Sequence, residues 1–69
     1  MKIQYFADTD TLLVILREAN IAETRELDEN TLIDVDEDGD LVSITLEHAR
    51  TRTDIASLTY QQIGVLQPA

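Results

Sequence analysis

Thr31-Leu32-Ile33-Asp34-Val35-Asp36-Glu37-Asp38-Gly39-Asp40-Leu41-Val42-Ser43-Ile44-Thr45-Leu46-Glu47 carries two alternating apolar and polar runs on either side of an Asp-Gly step. In the first run Ile33 and Val35 point one way and Asp34 and Asp36 the other; in the second, Val42, Ile44 and Leu46 share a face. A period of two belongs to a half-buried strand. Asp38-Gly39 is a strong short-range hairpin signal, because glycine takes up the positive φ that tight turns require. The stretch therefore predicts two antiparallel strands, at about 31–36 and 41–48, joined by an acidic turn.

The segments before this hairpin extend the same pattern. Ile3 and Tyr5 alternate with Gln4 and Phe6, and Ala7-Asp8-Thr9-Asp10 then supplies side chains that bond their own backbone in turns. Leu12-Leu13-Val14-Ile15-Leu16 is apolar on both faces, which is the character of a central strand and of an oligomer contact. From Arg17 to Glu29 the pattern is ambiguous: Glu18-Ala19-Asn20-Ile21-Ala22 fits a helical turn, a loop or the entry to an edge strand around Glu23 to Leu27, and loop then edge strand is the favoured reading. After His48 the period changes: Ile55, Leu58 and Thr59 fit a helical face, as do Ala56, Tyr60 and Ile63. Thr53, or Thr59 with Gln62, can cap a helix start, and Gly64 and Pro68 would end it. The expected fold is α+β and mostly β: an antiparallel β-meander of strands at about 2–6, 11–17, 23–27, 31–36 and 41–48, with a C-terminal helix at about 53–64. No repeat or linker divides it, so residues 1–69 are expected to form a single domain.

A chain of 69 residues buries a small core, about 60% of the surface its unfolded form exposes. It has no cysteine to staple it or to hold a metal as thiolate. The missing stabilisation must come from a well-patterned sheet or from self-association, and a homodimer through the Leu12–Leu16 face is expected. The first residues contain no apolar stretch of signal-peptide length, and no run approaches the roughly 20 apolar residues of a membrane span. A cytoplasmic location with no membrane partner is the expectation.

Fourteen acidic residues oppose five basic ones, a formal net charge of -9. Between Glu23 and Asp40 stand nine carboxylates against Arg25 alone, which is eight of the nine net charges. Such a surface repels phosphate backbones, so nucleic acid is not an expected partner. It would steer a basic protein inward, or simply keep a small protein in solution.

Each chemical motif has a plainer explanation. Asp34-Val35-Asp36-Glu37-Asp38-Gly39 matches the first six positions of a calcium-binding EF-hand loop, with Leu41 at the apolar eighth position. The closing bidentate carboxylate belongs at the twelfth position, which is Thr45, and the ninth is Val42. The flanks have strand periodicity where an EF-hand needs helices. His48 follows Glu47, but no serine, cysteine or lysine stands at a recognisable spacing from this single histidine. Asp8 and Asp10 read as turn formers, and Arg50-Thr51-Arg52 as solvated charges ahead of a contact with an acidic partner or the protein's own acidic loop. No residue is assigned a catalytic, cofactor-binding or metal-ligating role, and no cofactor is expected.

Tyr5, Asp8, Asp10-Thr11-Leu12, Val14 and Leu16, followed by Ile33 through Gly39 and Leu41-Val42-Ser43-Ile44, resemble a family of small prokaryotic proteins, domain of unknown function 2283. The resemblance covers roughly Met1 to Ala49; the family commonly has glycine at the position of Ser43 and glutamate at that of Thr45. It implies a β-rich fold with a small helical element, no established activity, and a context in which such proteins are suspected antitoxin-like partners of small toxins. The leading expectation is thus a non-enzymatic acidic interaction module that neutralises a small basic protein. A calcium- or metal-binding hairpin using Asp34, Asp36, Asp38 and Asp40 is the alternative, and a small enzyme using His48 with Glu47 the third reading.

Overall fold

The computed structural model describes residues 1–64, so the expectation placed on Pro68 lies outside the described residues. Five strands form one antiparallel sheet: β1 (Lys2–Phe6), β2 (Thr11–Ile15), β3 (Glu23–Asp28), β4 (Thr31–Val35) and β5 (Leu41–Glu47). All five lie at about the expected positions, with β2 ending at Ile15 instead of running on to Arg17. Their order is β1-β2-β5-β4-β3. β3, β4 and β5 are a meander of consecutive hairpins, and β2 returns beside β5 through the long connection 16–22, a Greek-key arrangement. Leu16 N–H to the Val42 carbonyl (2.9 Å) and Ala22 N–H to the Val35 carbonyl (2.9 Å) tie the two ends of that connection to the sheet.

Directly paired residues share a face. Ile3 opposite Val14 and Tyr5 opposite Leu12 begin an apolar face that continues through Leu46, Ile44 and Ile33. The opposite face mixes Leu13 and Ile15 with Thr45, Ser43 and Asp34. A register shift between Asp34 and Val35 interrupts the β4–β5 ladder at Leu41. The bulge breaks strict alternation there, and consecutive Val42 and Ser43 are both buried. Val35, Val42 and Ala49 are the buried apolar residues; every residue of β2 is only half-buried. The chain is a slab of 40 × 32 × 17 Å. Its radius of gyration is 13.9 Å, where a compact domain of this length has about 11 Å.

The helix is earlier and shorter than its periodicity suggests: α1 spans Ala49–Arg52. Thr53 does not start a helix at about 53–64 but closes α1, its N–H and hydroxyl both donating to the Ala49 carbonyl at 2.8 and 3.0 Å. From Thr53 to Gly64 the chain is irregular, and Thr59-Tyr60-Gln61-Gln62 caps nothing. The apolar stripe beyond Ile55 is left largely uncovered. Leu58, Tyr60 and Ile63 are 71%, 80% and 89% exposed. Short helices in water depend on packing an amphipathic face, and an unburied one does not hold. No helix of the described residues is long and apolar enough to cross a membrane.

Candidate functional site

The acidic turn is built by Asp36. One carboxylate oxygen accepts the N–H groups of Asp38 (3.0 Å) and Asp40 (2.9 Å), the other an ion pair from Arg17. Asp36 and Asp40 also bond through their backbones at 3.0 Å, and the Gly39 N–H meets the Asp36 carbonyl at 3.0 Å. Gly39 takes φ +83°, as its place before the returning strand requires. The Arg17 guanidinium, reinforced by the Asp40 and Asp38 N–H groups, holds the Asp36 carboxyl below its ordinary range.

Asp34, expected to face solvent, lies half-buried on the polar face. Its two oxygens accept the hydroxyls of Thr24 (2.6 Å) on β3 and of buried Ser43 on β5. The four aspartates of the proposed cation site are therefore not together. Asp36, Asp38 and Asp40 each offer an oxygen within 4.8 Å of one another, and Asp34 is engaged across the strands.

A second polar cluster has no local sequence signal. Asp10 and His48 are non-glycine residues at positive φ, 53° and 55°. The Tyr5 hydroxyl donates to Asp10 Oδ1 (2.7 Å), as does the Arg50 N–H (3.0 Å), while the Ala49 N–H reaches the Asp10 carbonyl (3.0 Å). The Arg50 guanidinium lies 3.9 Å from Asp10 Oδ1 and 5.9 Å from the centre of the Tyr5 ring. This clasp fastens the start of α1 to the β1–β2 turn and fully buries Ala49. The Tyr5 hydrogen bond, with lesser help from Arg50 and His48, holds the Asp10 carboxyl low, and the same bond raises the Tyr5 hydroxyl. Asp8, its expected turn partner, is exposed, and exposed His48 contributes backbone geometry to the clasp.

A group whose folded pKa lies below its unfolded one stabilises the fold above the unfolded value, near 3.9, and loses that contribution as pH falls through the folded value. Asp10 and Asp36 both belong to this class, as do Glu23 beside Arg25 and Asp28 beneath the Asn30 N–H. Thermal midpoints should fall on acidification below about pH 4, and Asp36→Asn should flatten that descent. A midpoint that climbs through the same window contradicts the assignment.

Four of the five cations are already engaged. Arg17 pairs with Asp36, Arg25 with Glu23 (3.2 Å), Arg50 with Asp10 (3.9 Å) and Arg52 with Asp28 (3.9 Å). Among the described residues Glu26, Glu29, Glu37, Asp38 and Asp40 form no ion pair, and all five are exposed around β3 and the β4–β5 turn. A family model described as "Protein of unknown function (DUF2283)" matches residues 2–50. No curated protein and no solved structure matches the chain.

Proposed function

The chain belongs to the DUF2283 family, and on that premise we propose that it is a non-enzymatic interaction module whose acidic edge receives a basic protein surface, in the manner of an antitoxin. The observation that carries the reading is the asymmetry of pairing. Four of the five cations are held by carboxylates of their own chain, which leaves uncompensated negative charge along the β3–β4 side of the sheet, Glu26 and Glu29 at one end of β4 and Glu37, Asp38 and Asp40 at the other. Charge of one sign on a rigid edge accelerates encounter with a basic partner and selects against acidic ones. For the catalytic alternative, His48 takes a positive φ, and among the described residues the Thr51 hydroxyl bonds its backbone carbonyl and not its imidazole.

Co-expression with the product of the adjacent gene tests the proposal. The two proteins should co-purify, and growth inhibition by a basic product should be relieved. Glu37→Gln, Asp38→Asn and Asp40→Asn together should weaken capture, and wild-type capture should fade with salt, since charges interact over about 10 Å at 0.1 M ionic strength. A neighbour that neither co-purifies nor is relieved removes the reading.

A cation held in the turn is the second reading, favoured by the convergence of Asp36, Asp38 and Asp40. Against it, both Asp36 oxygens already serve Arg17 and the turn N–H groups. Identical melting midpoints with millimolar calcium and with chelator would dispose of it.

A further inference from the structure

The strand register sets Ile15, Ser43, Asp34 and Thr24 in one row across β2, β5, β4 and β3. Asp34 stands in that row as a half-buried carboxylate whose donors among the described residues are the neutral hydroxyls of Thr24 and Ser43. Among the described residues no cation pairs with it. A carboxylate has about four acceptor positions, so the two hydroxyls leave room for further donors and leave the charge whole. Between the sheet and the connection 16–22 lies an open pocket of about 320 Å³. Leu13, Ile15, Ala19, Ile21 and Val42 give it apolar walls, and Asp34 lines it together with buried Ser43. Arg17 and Glu18 complete it; Arg17 is held by Asp36, while exposed Glu18 forms no ion pair among the described residues.

We infer that this pocket takes one lysine or arginine side chain of the basic partner, its methylene stem along Leu13, Ile15 and Ile21 and its charged tip on Asp34. The inference rests on the reading of a basic protein partner and adds the point at which that partner is anchored. Long cationic side chains join an apolar stem to a charged head, which matches apolar walls beside an unpaired carboxylate. An anionic tip would be repelled by Asp34 and Glu18, and an uncharged apolar one would strip water from Asp34 and put nothing in its place. Arg17 does not bar entry, because Asp36 neutralises it and Asp38 and Asp40 add to the negative field around it. The same ion pair ties the pocket to the turn that carries Glu37, Asp38 and Asp40. A partner anchored here lays its neighbouring cations on those three and not on Glu26 and Glu29 at the other end of β4.

The side-chain chemistry can be tested without the partner, by titrating n-butylguanidinium into the whole isotope-labelled chain and following its amide resonances. Those of Ala19, Ile21, Asp34 and Ser43 should shift and saturate. The neutral isostere n-butylurea should bind at least about tenfold more weakly, the loss expected for a charged hydrogen bond. Asp34→Asn should weaken butylguanidinium binding by a similar factor. Ile21 is 53% exposed, so Ile21→Ser keeps the fold; the loss of apolar wall should weaken binding about threefold. Equal binding of butylurea, a response that spreads over the exposed carboxylates without saturating, or one unchanged in both variants overturns the inference. Resonances of the same residues that move when the unliganded chain is diluted would mean that a second copy covers the pocket, also against it. Where the adjacent gene's product is captured, Asp34→Asn and Ile21→Ser should both weaken capture. Capture that falls only with the Glu37, Asp38 and Asp40 substitutions keeps the acidic edge and overturns the pocket. Saturating binding that depends on Asp34 supports the pocket even where that product is not captured, so the two readings fail separately.

Discussion

Ala49→Leu is expected to remove a large part of the folding free energy. Ala49 is fully buried where the helix meets the β1–β2 turn, its N–H on the Asp10 carbonyl and its own carbonyl accepting both donors of Thr53. Three extra carbons must displace either the Asp10 backbone, already at positive φ, or the sheet beneath. Overpacking of this kind costs about 1–3 kcal/mol. A chain of 69 residues holds only about 3–10 kcal/mol in total, so the urea midpoint should fall steeply. Ala56→Leu makes the same exchange at an exposed position, where the effect should stay within about 0.5 kcal/mol. Equal midpoints for the two variants would refute the packing account.

Arg52→Lys should be nearly as damaging as Arg52→Ala, although the charge is kept. The guanidinium donates from Nη1 to the Asn30 carbonyl (2.6 Å) and the Glu47 carbonyl (3.2 Å), and from Nη2 to the Thr31 hydroxyl. These acceptors lie on the β3–β4 turn, the first residue of β4 and the last of β5, so one planar fork joins α1 to two strands. Lysine has a single ammonium and cannot span three divergent acceptors. Loss of hydrogen bonds from a charged donor costs about 1.5–3 kcal/mol. Thermal unfolding measures it, and a lysine variant as stable as wild type would show that charge alone suffices. Of the Arg50-Thr51-Arg52 pair, Arg50 stays solvated beside the Asp10 clasp, its side chain 63% exposed, while Arg52 belongs to this fork.

The strands were legible because their information is local. Ile33, Val35, Ile44 and Leu46 alternate with polar neighbours, and Asp38-Gly39 has one low-energy way to turn. The C-terminal helix misled for the converse reason. Ile55, Leu58 and Ile63 have helical spacing, but a period describes only which side chains could share a surface, and beside the single sheet Leu58 and Ile63 stay largely exposed. The acidic turn was likewise readable as a turn, whereas the fate of each carboxylate was not. Asp34 is satisfied by Thr24 and Ser43, ten and nine residues away, and Asp36 by Arg17, nineteen away. The Asp10 clasp spans forty residues to Arg50. Such pairings depend on strand order, and neither spacing nor composition encodes the insertion of β5 between β2 and β4.

That strand order also sets a timetable for folding. β3, β4 and β5 pair with their sequence neighbours and close short loops, but Thr11 must find Glu47, 36 residues on, and Ile15 must find Ser43, 28 residues on. Closing long loops precedes the contacts that reward it, so non-local pairing slows the search. The β3–β5 meander is expected to assemble first, with the β1–β2 hairpin docking onto β5 in the rate-limiting step. Substitutions at Val14 should then act mainly on the folding rate if docking is half-made at the barrier, and on the unfolding rate if it comes later.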